Sequence, residues 1–368
     1  MKSEVQICNR CIMDTTAEGI TFDENGNCNF CSKYIDKLNK SIYMSKNRDL
    51  ELNNILARIK EDGKGKEYDC IMGVSGGLDS SYLLLKAVEY GLRPLAVHLD
   101  NGWNSELAVK NIYNLIEKLN VDLYTHVIDW EEFKSLQKAF FDADVIDIEL
   151  LTDHAIISTM YSLANKYNIK YMLPGTNISN EGMDMPQGWN HFKWDISNIK
   201  DINSKFGSKK KLETYPFLSV WKYFYYSKIK KIYWISLLDY IDFDKGKSLK
   251  ILQEKVAYVP YEKKHYESVF TRFYQGYILP NKFSIDKRKL HFSTLICSGQ
   301  ASREAVMEQM SNDPYDNLIQ LKEDKAFVLK KLSFTDKEFD AYMNRPKKMH
   351  TEYKSNIWIL DFYRKYIK

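Results

Sequence analysis

No stretch of this sequence is apolar enough for long enough to cross a bilayer. Tyr223 to Phe243 comes nearest, but it carries Lys228, Lys230, Lys231, Asp239 and Asp242, and five charges exclude a spanning helix. Charge of one sign is also lacking: 53 Lys+Arg stand against 49 Asp+Glu, a net +4. A balance so even argues against a dedicated duplex nucleic-acid binder. The opening MKSEVQICNRC has no apolar h-region, so no secretory signal is expected, and the expected location is cytoplasmic, where thiols stay reduced. Cysteine is scarce too, at six, yet four of the six fall within the first 31 residues.

Aromatics are what the chain has in surplus: 26 Tyr, 18 Phe and 7 Trp among 368 residues. Such rings suit cores and ligand pockets alike. With 44% hydrophobic and 28% charged residues the chain is globular in composition, and its length predicts two or three domains.

Cys8-x2-Cys11 and Cys28-x2-Cys31 are separated by 16 residues, the spacing of a four-cysteine zinc site. Gly19 to Phe22 and Glu24 to Asn27 read as a hairpin joining the pairs. Four thiolates leave no open coordination position, so a zinc here is structural. An iron–sulfur cluster or unmetallated thiols are the alternatives. Residues 1–34 are therefore expected to form a zinc module, and 35–66 a charged linking helix.

Residues 67–181 alternate short apolar runs with amphipathic stretches. Strands are expected at 68–74, 92–100, 121–128 and 169–174, with helices at 80–90, 105–119, 131–141 and 152–167. That alternation predicts βαβ units, hence an α/β, doubly wound parallel sheet whose ligands bind beyond the carboxyl ends of the strands. After Glu181 the alternation stops. Residues 182–258 form an aromatic and basic insertion, the expected source of substrate specificity, with Trp189, Trp194, Trp221 and Trp234 as candidates for stacking on a sugar or simply for packing. Residues 259–368 read as helical.

The first strand runs into Ser75-Gly76-Gly77-Leu78-Asp79-Ser80-Ser81, which opens a helix. Two glycines let backbone N–H groups approach a phosphate, and the helix start adds partial positive charge. Asp79 beside an anion site makes sense with Mg²⁺ between them. A strand-to-helix turn with an ordinary cap is the plainer reading. Gly246-Lys247-Ser248 is not a Walker A loop, because position 241 is Ile, and no GxGxxG fingerprint occurs.

The SGGxDS loop after a buried strand resembles that of the PP-loop ATP pyrophosphatases, which include NAD, GMP and asparagine synthetases and tRNA thiolases. The resemblance implies the adenine nucleotide alpha hydrolase-like fold and cleavage of ATP between its α- and β-phosphates. It implies ATP contacts from Gly73, Ser75, Gly76, Gly77, Asp79, Ser80 and Ser81, from His98 and Asp100 after the second strand, and from Gly175, Thr176 and Asn177, with Asp79 and Glu181 on Mg²⁺. A core reading of His98 and a capping reading of Asn177 stay open.

Over nearly the whole chain the sequence resembles the N-acetyl sugar amidotransferases of bacterial surface-polysaccharide (lipopolysaccharide and O-antigen) synthesis. The segments concerned include Cys8 to Thr16, Gly73 to Ser81, Lys264 to Ser268, Phe270 to Phe273, Phe283 to His291 and Ser298 to Glu304. The resemblance implies conversion of an acetamido to an acetamidino group on a nucleotide-linked sugar, and partners in a glutaminase subunit and a cyclase-like barrel subunit. No glutaminase nucleophile is evident in the chain itself: position 2 is Lys, and neither Cys70 nor Cys297 sits on a nucleophile elbow. Asp79, Lys287 and Arg288 are the expected catalytic residues. Lys264, His265, Arg272 and Arg303 are expected to hold substrate or phosphate, unless they belong to a solvated, salt-bridged face. Two other functions compete: tRNA thiolation, and an ATP- and zinc-bearing scaffold without turnover.

Overall fold

The computed structural model describes residues 5–261, 266–315 and 317–359. Its centre is a five-stranded sheet in the order β3-β2-β1-β4-β5, with every neighbouring pair parallel. The strands are β1 (Cys70–Gly73), β2 (Pro94–Asp100), β3 (Leu123–Val127), β4 (Tyr171–Met172) and β5 (Tyr233–Trp234). Helices α1 (Asn29–Asn39) and α2 (Arg48–Asp62) precede β1, and α3 (Leu78–Glu89) and α4 (Glu106–Leu119) follow β1 and β2. Between β3 and β4 lie α5 (Trp130–Asp142) and α6 (Leu150–Lys166). Between β4 and β5 come the one-turn α7 (Ile178–Glu181), α8 (Ile196–Phe206) and α9 (Val220–Phe224). The rest is helical: α10 (Lys245–Val256), α11 (Val269–Phe273), α12 (Lys287–Cys297), α13 (Arg303–Met310), α14 (Leu318–Leu332) and α15 (Asp336–Asn344).

Side chains alternate across a strand, and here the alternation divides the core. Cys70 and Met72 of β1, Ala96 of β2 and Tyr171 of β4 face a layer of Ile55, Ile59, Leu83, Leu84 and Leu252 from α2, α3 and α10. Ile71, Leu95, Val97 and Met172 face the other way, onto Met160, Leu163 and Ala164 of α6. Both faces are therefore covered, as a parallel sheet requires. Helix starts follow their caps: Ser105 accepts from Ala108 N, and Asp129 from Glu132 N.

Two expectations need correction. The sheet does not end at residue 181, because its fifth strand comes from Tyr233–Trp234, inside the segment expected to be an insertion. A two-residue strand flanked by Ile232 and Ile235 gives no period to read. The expected linking helix over 35–66 is two helices with a break near Ser41–Asn47, and α1 begins inside the zinc module.

Candidate active site

Strand order reverses between β1 and β4: the chain steps outward from β1 to β2 and β3, then returns to the far side of β1. A crevice opens at such a switch point. Here it is a cavity of about 800 Å³ lined by the ends of all the strands except β3, including Gly73, Val74, His98, Leu99, Met172, Pro174 and Trp234. That volume suits a nucleotide-sized ligand.

The floor is the loop between β1 and α3. Gly76 takes φ +79°, and a Cβ there would meet the Ala108 carbonyl oxygen at 2.7 Å, so only glycine fits. Gly175 packs against the same loop, its missing Cβ 3.0 Å from Ser80 N. Ser75 Oγ accepts from Gly77 N at 3.3 Å, and Ser80 Oγ lies 3.3 Å from Ser75 Oγ. The residue preceding α3, Gly77, offers no side-chain cap, so the first amides of that helix are left for an anion. Ser75, Gly77, Asp79, Ser80, His98, Gly175, Thr176 and Glu181 line one cavity. His98 is fixed at both ring nitrogens, by Val74 O at 3.0 Å and Asn104 Nδ2 at 3.0 Å.

Other expected residues stand elsewhere. Asp100 does not line the cavity; it accepts from Gly102 N and Asn104 Nδ2, and so holds the loop that orients His98. Asn177 caps α7 through Asn180 N at 2.9 Å, which favours its capping reading. Ser81 is fully buried and its Oγ is unpartnered. Arg272 forms a two-pronged pair with Asp324 at 2.6 Å per bond. Lys287 pairs with Glu149 at 3.2 Å, and Arg288 with Asp286 and the Asn312 carbonyl. None of Arg272, Lys287, Arg288 and Arg303 lines the cavity, because each is drawn to a nearer acceptor. Lys264 and His265 lie outside the described residues. Of the four candidate tryptophans, Trp234 alone reaches the cavity.

The far wall was not anticipated. Lys245, Gly246, Tyr258, Tyr261, Glu267, Ser268 and Thr271 close the cavity opposite the sheet. Tyr261 Oη donates to Gly76 O at 3.1 Å, tying this wall to the glycine loop, and burial pushes its pKa up to about 12. Backbone bonds from Ser105 N to Glu267 O and from Val269 N to Trp103 O anchor the same wall to the loop after β2. Gly246 opens, and Lys245 precedes, the Gly-Lys-Ser that fails as a Walker loop, so the sequence signal there pointed to a different geometry.

The four N-terminal cysteines are fully buried, with sulfurs all within 4.8 Å of one another. Zinc–thiolate bonds of ~2.3 Å in a tetrahedron set sulfurs ~3.8 Å apart. Cys8 and Cys31 are at 3.8 Å, and Cys11 and Cys28 at 3.7 Å, so the residues fit one tetrahedral ion and leave little room for a multi-iron core. Arg303 belongs here: its guanidinium donates to Cys8 O and Cys11 O, both at 3.2 Å. Ser293 of α12 accepts from Ile12 N at 3.2 Å, and Lys289 of the same helix bonds Asp14. Cys297, also on α12, sits beside Cys11 and Cys31 as a fifth thiol, whereas Cys70 is core packing in β1.

The zinc module reaches the cavity through α1, whose start carries Cys28 and Cys31. Tyr34 Oη donates to Ile178 O at 2.9 Å, and Lys37 Nζ to Gly182 O at 3.1 Å. These carbonyls bracket α7, the turn that ends at Glu181. Asp239 accepts from Ile178 N at 2.6 Å, and burial raises its carboxyl pKa to about 6. The turn that carries Glu181 is thus held from beneath by the helix that grows out of the cysteine module.

Residues 267–366 match the family model for the C-terminal domain of WbpG-like LPS biosynthesis proteins. The WbpG-like region supplies Glu267, Ser268 and Thr271 to the cavity and Arg303 to the cysteine module, so it completes both sites. No curated protein matches the chain. Among solved structures, an NH3-dependent NAD synthetase from Campylobacter jejuni is 15% identical, covering 48% of this chain and 72% of its own, at a TM-score of 0.29. An NMN synthetase from Francisella tularensis is 17% identical, covering 64% of this chain and 99% of its own, also at a TM-score of 0.29.

Proposed function

We propose that the protein is an ATP-dependent amidotransferase that converts an acetamido group of a nucleotide-linked N-acetyl sugar into an acetamidino group. The observation that carries this reading is the cavity itself. A glycine loop and an uncapped helix start lie at the switch point of a parallel sheet, and Glu267, Ser268 and Thr271 of the opposite wall come from the segment that matches the WbpG-like LPS biosynthesis model.

In this reading Ser75, Gly77 and Ser80 and the first amides of α3 hold the ATP phosphates. Asp79 and Glu181 would hold Mg²⁺, which neutralises phosphate charge when bound. The substrate amide oxygen attacks the α-phosphorus and pyrophosphate leaves. Ammonia then adds to the activated carbon, and AMP departs with the former amide oxygen, so the acetamido C=O becomes C=NH. Lys245 and Trp234 line the cavity, which supports a role for the cation on the phosphates or the sugar nucleotide and for the ring as an aromatic face. Ammonia comes from a separate glutaminase working with a cyclase-like barrel subunit, in a cytoplasmic assembly. The thiolation reading is disfavoured because no cysteine lines the cavity among the described residues.

The test is pyrophosphate release with ATP, Mg²⁺, ammonium and a panel of N-acetylated nucleotide sugars. Release with one sugar, with an amidine product by mass, is the expected result. Release only with tRNA would refute the reading, and no release with any substrate would favour a scaffold.

A further inference from the structure

The stretch from Trp221 to Trp234 exposes an unusual concentration of apolar surface. Trp221 is 81% exposed, Ile229 63%, Phe224 52%, Tyr233 and Trp234 each 45%, and Tyr225 43%. Lys222, Lys228, Lys230 and Lys231 lie among them, all exposed, and none makes an ion pair among the described residues. From Thr214 to Leu238 the sequence has no Asp or Glu at all.

The outward direction of these rings is set by the other face of the same segment. Tyr223 meets Tyr161 of α6 edge-on at 5.5 Å and packs on Trp194 at 5.2 Å; Tyr226 stacks on Tyr161 at 5.9 Å. Leu218 and Ile232 are buried at either end. With Tyr223 and Tyr226 turned inward, helical spacing leaves Trp221, Phe224 and Tyr225 on the outside. On the outer strand β5, Trp234 pairs with Met172 and so takes the α6 side of the sheet, continuing the patch, whereas Tyr233 packs beside Tyr171 on the other side. Contiguous apolar surface of this kind marks a contact site.

We propose that this aromatic and lysine face docks the protein reversibly on an anionic lipid bilayer surface. The charges choose the occupant. A second copy meeting through the same patch would set four lysines against four lysines. Protein interfaces favour Trp and Tyr but are depleted in Lys. A bilayer surface takes both: the rings of Trp and Tyr settle at headgroup depth, while lysines extend to lipid phosphates. That no helix among the described residues is long and apolar enough to cross a membrane does not bear on this, because surface docking needs only a shallow apolar face. Trp234 belongs to both the patch and the cavity wall, so docking brings the rim of the cavity to the membrane. The proposal stands independently of the reaction assigned to that cavity.

The test is co-flotation of the full-length protein with vesicles of phosphatidylglycerol and phosphatidylethanolamine, with phosphatidylcholine vesicles in parallel. Binding is expected to the anionic vesicles, weakening as salt is raised. Trp221→Ala with Phe224→Ala should lower the bound fraction about tenfold. Lys222→Glu with Lys228→Glu should lower it by at least as much. All four positions are exposed, so circular dichroism and melting temperature should stay unchanged. No binding to anionic vesicles, binding that neither pair alters, or a solution dimer dissolved by Trp221→Ala would overturn the proposal.

Discussion

Replacing Tyr34 by Phe removes one hydroxyl and nothing else. The ring is 1% exposed and packs against Gly182, whose Cβ would stand 2.7 Å from it, so the packing survives the change. The hydroxyl donates to Ile178 O, which also accepts from Gly182 N, so the carbonyl keeps one partner. The loss is therefore that of one net hydrogen bond, ~1 kcal/mol, without the larger penalty of an orphaned acceptor. In a chain of this size that lowers Tm by about 1 °C. If the bond holds Glu181 in place for Mg²⁺, the same ~1 kcal/mol weakens metal binding and raises half-saturating Mg²⁺ roughly fivefold. The assay is pyrophosphate release titrated with magnesium at saturating ATP, beside a melting curve. A lower Tm with unchanged magnesium dependence would show that α1 merely packs against α7, and would refute the positioning role.

Four further outcomes are expected. Gly76→Ala forces φ +79° on a Cβ that meets backbone at 2.7 Å, so it should cost ~1–3 kcal/mol and abolish pyrophosphate release; a variant active at the wild-type rate would sink the loop assignment. Purified protein should carry one zinc per chain by metal analysis, and Arg303→Ala should speed zinc loss to a chromogenic chelator while ATP affinity in zinc-loaded protein is unchanged; equal loss rates would remove Arg303 from the module. Lys245→Ala should cut pyrophosphate release at least tenfold and Arg288→Ala by much less, the reverse ranking favouring Arg288 as the functional cation. Asp239 has a carboxyl pKa raised from 3.8 to about 6, so its contribution to stability is full below about 4 and is lost as pH rises through 6. Asp239→Asn keeps the acceptor for Ile178 N and removes the titration. Urea unfolding should then show the wild type losing ~1–2 kcal/mol relative to the variant between pH 4 and 7, after allowance for partial exposure. A wild-type-minus-variant difference that is flat with pH would contradict the raised pKa.

What could be read from the sequence was what is local. Ser75 to Ser80 and the paired Cys-x2-Cys turns each carry their geometry within a few residues, so spacing alone located them. Strands β1 and β2 were legible because Cys70, Ile71 and Met72 form a continuous apolar run, as burial on two faces demands. The far wall was not legible, since Tyr261 meets Gly76 across 185 positions, and periodicity carries no information about such distances. The basic residues of the C-terminal part misled for a related reason. A cation in sequence announces its charge but not its nearest acceptor, and Asp324, Glu149 and the Cys8 and Cys11 carbonyls are nearer than any cavity.

The way the cysteine module is closed has a consequence for the order in which the protein is made. Its four cysteines lie within 24 residues and can gather as soon as they leave the ribosome. The bonds that lock the module onto the body, from Ser293 and Arg303, come from residues synthesised some 280 to 295 positions later. The cavity closes on a similar delay, through Tyr261 and Glu267. A nascent chain thus has its cysteine module early and its cavity open until late, and a fragment ending before residue 260 would have the sheet, the loop and Lys245 to Tyr258 but not Tyr261, Glu267, Ser268 or Thr271. Truncation is accordingly the wrong way to divide this protein into working parts: the last third is the keystone of the first.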